Sequence, residues 1–230
     1  MIDISSAVLR NFFDRTYVNR NIVITAAGNL DHASVRDLIG DAFDSELRAA
    51  EPVALTPPTS QSHLVIRDKQ LEQSHLCLGL QSYPQDHVNR YASYVLNTVL
   101  GGSMSSRLFQ NIREERGLAY AVSSGLVAYR DTGALTIYAG CDAAAVPEVI
   151  GLIVSELKDL KRKPVPLDEL QRAKDHLKGN LVLGLESTTS RMSQLARSEI
   201  CHGRQIDLSE HLSFIDRVGP DDILRVASEC

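Results

Sequence analysis

SRLFQNIREERGLAYAVSSG, residues 106–125, reads as an amphipathic helix, a break at Gly117 and then a strand. Working outward, the helix covers about residues 105–116 and the strand about 118–129. A second strand at 134–140 follows RDTG at 130–133, so the two make a hairpin. Upstream, Gly101-Gly102 ends a helix over about 86–100. Two further strands precede it, at 63–67 and 74–81. Downstream the pattern turns helical. Val146, Val149, Ile150, Ile153, Val154, Leu157 and Leu160 follow the 3.6-residue period, and Pro164 stops that helix. Pro166 can open the next, with Asp168 and Glu169 at its positive end. STTSRMSQLARSEICHG at 187–203 is another capped helix, and GPDDILRVASEC at 219–230 starts one more. Strands with helices gathered after them predict an α+β fold, an antiparallel or mixed sheet with helices on one face.

The first fifty residues form a separate pattern. Ser5-Ser6 can cap a helix carrying Val8, Leu9, Phe12 and Phe13. NIVITAAGN at 21–29 reads as a strand, and Asp31 caps a helix with Val35, Leu38, Ile39, Ala42 and Phe43 on one stripe. EPVALTPPTSQS at 51–62 holds three prolines and no helical period, so it reads as a linker.

The 230 residues carry a formal charge of -5, which gives no reason to expect nucleic acid as a partner. Lys161-Arg162-Lys163 is a solvated helix end, where cations suit the helix dipole. Four dispersed cysteines make no disulfide framework. Cys77 and Cys141 lie in strand-like runs and are expected to be buried thiols in a reducing compartment. With no signal-peptide pattern and no apolar run near the ~20 residues that span a bilayer, the expectation is a cytoplasmic chain with no membrane partner.

Chemistry-bearing motifs are sparse. None of the seven histidines stands in His-x-x-x-His, His-Glu-x-x-His or His-x-x-Glu-His. No Gly-x-Ser-x-Gly nucleophile turn occurs, and Gly101-Gly102-Ser103 lacks the lysine of a phosphate loop. Glu114-Glu115-Arg116 reads as a solvated helix face. Arg113 and Tyr120 flank the break at Gly117 and could face one cleft. Two readings stand open. Arg113 can stabilise a helix C-terminus while Tyr120 packs on the sheet. Alternatively, guanidinium and phenol together can hold the carbonyl oxygens of a bound peptide.

VLNTVLGGSMSSRLFQNIREERGLAYAVSSG at 95–125 resembles the second-half signature of the insulinase/pitrilysin-type zinc peptidases, the family that includes mitochondrial processing peptidase. FFDRTYVNRNIVITAAGNLDHASVRDLI at 12–39 is similar to the end of that family's first half. It departs by lacking a proline after Tyr17 and by having Asn29 where the family has Asp. PVPLDELQRAKDHLKGNLVLGLES at 164–187 and LSFIDRVGPDDILRVA at 212–227 resemble its later part. The resemblance implies two related α+β halves facing each other across a peptide-holding chamber. The first half carries His-x-x-Glu-His and zinc. The second binds no metal and contributes an arginine and a tyrosine, seven apart, to the substrate carbonyls and developing oxyanion. Arg113 and Tyr120 fall on those positions.

No His-x-x-Glu-His is present. The resemblance therefore implies a fragment. Residues 1–50 are a remnant of the zinc-bearing half, 51–62 the linker, and 63–230 the second half, truncated at its C-terminus. It implies no catalytic residue and no metal in this chain, zinc in the missing first half, and peptide substrate held by Arg113 and Tyr120. The expected partners are that missing half, or a partner subunit, and a second copy of the chain paired through the strand at 21–27. The alternative is a non-catalytic structural or presenting subunit beside a zinc-bearing peptidase.

Overall fold

The computed structural model describes residues 4–18, 21–43, 56, 58–59 and 73–230. In chain order its elements are α1 (Ser6–Thr16), α2 (His32–Phe43), β1 (Ser74–Ser82), α3 (Arg90–Leu100), a π-helix (Phe109–Glu115), β2 (Ala119–Ala128) and β3 (Gly133–Cys141). A short 3-10 turn (Ala143–Ala145) leads into α4 (Val146–Arg162), followed by α5 (Leu167–Gly184), α6 (Thr188–His202), α7 (Leu208–Asp216) and α8 (Pro220–Glu229). The chain divides into two compact units. The smaller holds residues 1–55 and 184–205, the larger 56–183 and 206–230.

The larger unit is an α+β layer. Its sheet runs β1-β3-β2, antiparallel throughout, as the hairpin reading requires. Alternation along β1 turns Leu76, Leu78 and Leu80 toward the core and His75, Cys77, Gly79 and Gln81 outward. On β3, Leu135, Ile137, Ala139 and Cys141 point inward. Against that inner face the helices lay their apolar stripes: Val95, Val99 and Leu100 of α3, Val149, Ile153 and Leu160 of α4, and Ile223 and Val226 of α8. Fully burying side chains of this size contributes roughly 1.5–3 kcal/mol each, which is what holds helices and sheet together.

Helix ends follow the sequence closely. The Ser5 side chain accepts from the Val8 N–H, and Ser187 does the same for Ser190. Asp31 accepts from both the N–H and the hydroxyl of Ser34. The backbone bond first, then the hydroxyl, holds its carboxyl below the usual carboxylate range. Gly203 ends α6 in the left-handed region with φ 62°. Among the described residues no helix is long and apolar enough to cross a membrane.

Several expectations need correction. Residues 22–27 form no strand, although Ile22, Val23 and Ile24 are good strand formers. A strand needs a neighbour to take its N–H and C=O groups, and no ladder pairing is present there among the described residues. Cys77 is exposed, because it falls on the outer phase of β1, whereas Cys141 is buried as expected. α3 starts four residues later than expected, since residues 84–89 make turns in which the His87 N–H bonds to the Pro84 carbonyl and the Asn89 N–H to His87 Nδ1. Helix α7 was not anticipated. The expected strand at 63–67 and almost all of the linker lie outside the described residues.

Candidate functional site

The stretch 106–125 builds the candidate site in the larger unit. Its helix is wound wider than an α-helix from Phe109 to Glu115. Leu108 and Ile112 are fully buried and fix it to the core. Gly117 then turns the chain with φ 63°, the left-handed conformation that glycine adopts without penalty. The Gly117 N–H bonds to the Arg113 carbonyl at 3.2 Å and the Leu118 N–H to the Ile112 carbonyl at 2.9 Å, so the last turn is closed by backbone alone. Capping that helix therefore does not require the Arg113 side chain. Its guanidinium lies 4.7 Å over the Phe109 ring and 4.0 Å from Glu114, and the side chain is 41% exposed.

Tyr120 owes its position to a fault in the β2–β3 ladder. Ala119 pairs with Cys141 and Ala121 with Gly140, so Tyr120 is an extra residue with no partner across the ladder. Ala119 and Val122 are both 5% exposed, although three residues apart they would face opposite sides of a regular strand. The bulge lets both turn inward and leaves Tyr120 outside, 81% exposed. A packed tyrosine is thus excluded. Arg113 and Tyr120 stand on the helix and strand that Gly117 joins, and that helix packs on β2. Both present donors to solvent, one a fork and one a phenol.

Behind this surface lies a charged network that sequence reading missed. Arg107 Nε and a terminal nitrogen donate to the two carboxylate oxygens of Glu169 on α5 at 2.8 and 2.7 Å. The hydrogen bond to Glu169 raises the Arg107 pKa above its usual value against the effect of burial. Arg107 also lies 3.9 Å from Glu156 on α4. Asn111 Nδ2 donates to Glu156 at 2.9 Å, while Asn111 Oδ1 accepts from Arg116 Nε at 2.9 Å. Arg116 in turn lies 3.9 Å from Glu148 at the start of α4. The Arg107 and Glu169 partners are 62 residues apart, and no local pattern links them.

The zinc of the family resemblance has no place among these groups. Among the described residues no three His, Cys, Asp or Glu side chains gather where a metal ion could be held. The donor set at the candidate site is cationic and phenolic, suited to oxygen atoms carrying negative charge.

The model of the peptidase M16 inactive domain matches residues 3–177. The chain belongs to the M16 peptidase family. An uncharacterized zinc protease of Streptomyces coelicolor is 36% identical over 229 residues, covering 96% of this chain and 50% of that protein. One of Bacillus subtilis is 37% identical over 221 residues, covering 96% of this chain and 54% of the relative. The chain thus spans about half the length of these M16 relatives. In fold it is similar to a protease from Helicobacter pylori, with a TM-score of 0.85, 21% identity, and coverage of 99% of this chain and 56% of that one. It is equally similar to a peptidase M16 inactive domain from Pseudomonas fluorescens, with a TM-score of 0.85, 19% identity, and coverage of 99% and 55%. The M16 inactive domain is the non-catalytic part of zinc-protease-like proteins, and the α+β expectation holds.

Proposed function

We propose that this M16 chain is the substrate-binding, metal-free half of a zinc-dependent endopeptidase that hydrolyses peptides or unfolded polypeptides. The observation that carries the reading is Tyr120: a bulge lifts it out of the sheet to 81% exposure, beside the helix that presents Arg113. A strand that spends an extra residue to expose a phenol gains nothing for its own packing. A guanidinium and a phenol there suit a substrate carbonyl, and they suit it better as negative charge develops on its oxygen. Zinc, which the described residues do not fit, belongs in this reading to the other half. Residues 1–50 are a remnant of that half, 51–62 the linker and 63–230 the substrate-binding half, a division supported by the resemblance of residues 12–39 to the end of a first half. The isolated chain is inactive.

The test combines the chain with a zinc-bearing M16 half and follows cleavage of an unstructured fluorogenic peptide. Cleavage should require both pieces. Tyr120→Phe should then lower kcat by about a hundredfold to a thousandfold, the range seen when one oxyanion donor is removed, with the fold unchanged by circular dichroism. Wild-type turnover in Tyr120→Phe would remove the oxyanion role. Absence of cleavage with any zinc-bearing half would favour the structural-subunit reading.

A further inference from the structure

Three rows of side chains leave the π-helix and its flanks. Leu108 and Ile112, four apart, enter the core. Phe109 and Arg113, also four apart, are in contact with each other on the open side. Arg107 and Asn111, four apart, both reach Glu156 on α4, and Arg116, five beyond Asn111, bonds back to it. That last step is the informative one. In an α-helix of 3.6 residues per turn, residues five apart point about 140° away from each other. The wider turn of a π-helix brings positions five apart much closer to one face, and Arg116 is the residue that ends this one. The Asn111–Arg116 bond at 2.9 Å therefore spans a spacing that the wide register favours and the α register separates.

Both ends of the Asn111 amide are engaged in this arrangement. Its nitrogen donates to Glu156 and its oxygen accepts from Arg116. Glu148 and Glu156, two turns apart on α4, give the same row two anchoring charges. π-Helical turns are rare and cluster at functional positions, so one that persists is held by something outside the backbone. Relaxation to α would drop one residue from the turn and rotate the side chains beyond it by about 100°. Arg113 sits between Asn111 and Arg116 and would be carried round with them.

We infer, on the reading of Arg113 as a substrate contact, that Asn111 is a positioning residue. By bridging Glu156 and Arg116 it locks the π register that aims the Arg113 guanidinium at the substrate. Asn111 touches no substrate itself. Asp at this position would set a carboxylate against Glu156, so the amide is the chemistry the bridge requires.

The experiment is a double-mutant cycle on kcat/KM in the chain assembled with its zinc-bearing half, using Asn111→Ala, Arg113→Ala and the pair. Asn111→Ala should lower kcat/KM about tenfold, well within the loss that a 1 Å misplacement of a binding group can cause. The double variant should be no worse than Arg113→Ala alone, because a residue that acts through Arg113 has nothing left to aim. Glu156→Gln, which keeps the acceptor oxygen, should retain activity. Glu156→Leu should behave like Asn111→Ala and runs the same cycle from the other partner. Fully additive losses for Asn111 and Arg113 would overturn the positioning role while leaving the proposed function intact. An Arg113→Ala variant with wild-type kcat/KM would overturn both.

Discussion

Gly101→Ala tests whether the end of α3 and strand β2 are as close as the fold of the site requires. The φ of Gly101 is -160°, which any residue can adopt, so space rather than backbone conformation demands glycine here. An added Cβ would lie 2.6 Å from the Ser124 backbone nitrogen, 2.7 Å from its Oγ and 2.9 Å from its Cβ. Helix end and strand must part by about 0.8 Å to reach the 3.4 Å of ordinary contact. That displacement would stretch the 3.0 Å bond from the Ser124 N–H to the Gly101 carbonyl beyond hydrogen-bonding range. It would also strain the Ser124 hydroxyl, which lies 2.8 Å from Asn97 Oδ1. Overpacking costs about 1–3 kcal/mol and the lost bond about 1 kcal/mol, so the expected total is roughly 2–4 kcal/mol. For a chain of this size the melting temperature should fall by roughly 5–15 °C. The assay is thermal and urea unfolding by circular dichroism. Gly179→Ala serves as control, since a Cβ there meets nothing within 4 Å and should be neutral or stabilising. Ser124→Gly removes two of the three clashes but not the backbone nitrogen, so it should rescue Gly101→Ala only in part. A Gly101→Ala variant within about 0.5 kcal/mol of wild type, or full rescue by Ser124→Gly, would refute the reasoning.

Two more perturbations read charged and hydrogen-bonded pairs of the larger unit. Among the described residues, Glu169→Ala leaves the Arg107 guanidinium, 19% exposed, with the 3.9 Å approach of Glu156 and the more distant charge of Asp159. Between the small worth of exposed pairs and the cost of breaking buried ones, about 2 kcal/mol is expected by urea unfolding. The Arg107→Ala/Glu169→Ala pair should cost clearly less than the two singles added together; simple additivity would argue against a direct interaction. Tyr83 donates to Glu229 on α8, and its pKa is raised from 10.0 to about 12 by burial first and by that hydrogen bond second. A raised folded pKa means that the unfolded chain loses this proton first. The Tyr83 contribution is therefore whole below pH 10.0 and is lost as pH rises toward about 12. Unfolding free energy measured across that window should fall more steeply for wild type than for Tyr83→Phe, and equal slopes would count against the assignment.

Much of the fold was legible in both units because its signals are local. The strand at 74–81, the tight loop between β2 and β3, and the caps at Ser5, Asp31 and Ser187 each depend on residues within a few positions. The strand expected at 21–29 failed because strand propensity describes fit to a sheet, and the sheet must be there. Cys77 was misread for a related reason: an apolar run does not state which phase of its alternation faces the core. At the candidate site the residues themselves left two readings, and only the family resemblance ranked them.

The two distortions that carry Arg113 and Tyr120 lie on either side of Gly117, and each inserts extra residues against a regular period. A regular α-helix would not align Asn111 with Arg116, and a regular strand would not bury both Ala119 and Val122. Leu108 and Ile112 on the helix and Ala119 and Val122 on the strand enter the core around these irregularities, and the side chains left to solvent are the guanidinium and the phenol. In a chain that otherwise buries its polar atoms with partners among the described residues, two such irregularities flanking one glycine support the proposed substrate contact. Regularising the strand alone provides a final test of that link. Deleting Tyr120 leaves Ala119 and Val122 two residues apart, opposite Cys141 and Ala139, so both still face the core of a now regular ladder; stability by urea unfolding should change by less than about 1 kcal/mol, while cleavage by the assembled enzyme should fall as in Tyr120→Phe. A deletion variant destabilised by the roughly 1.5–3 kcal/mol of one buried side chain would show that the bulge serves packing rather than the exposure of Tyr120.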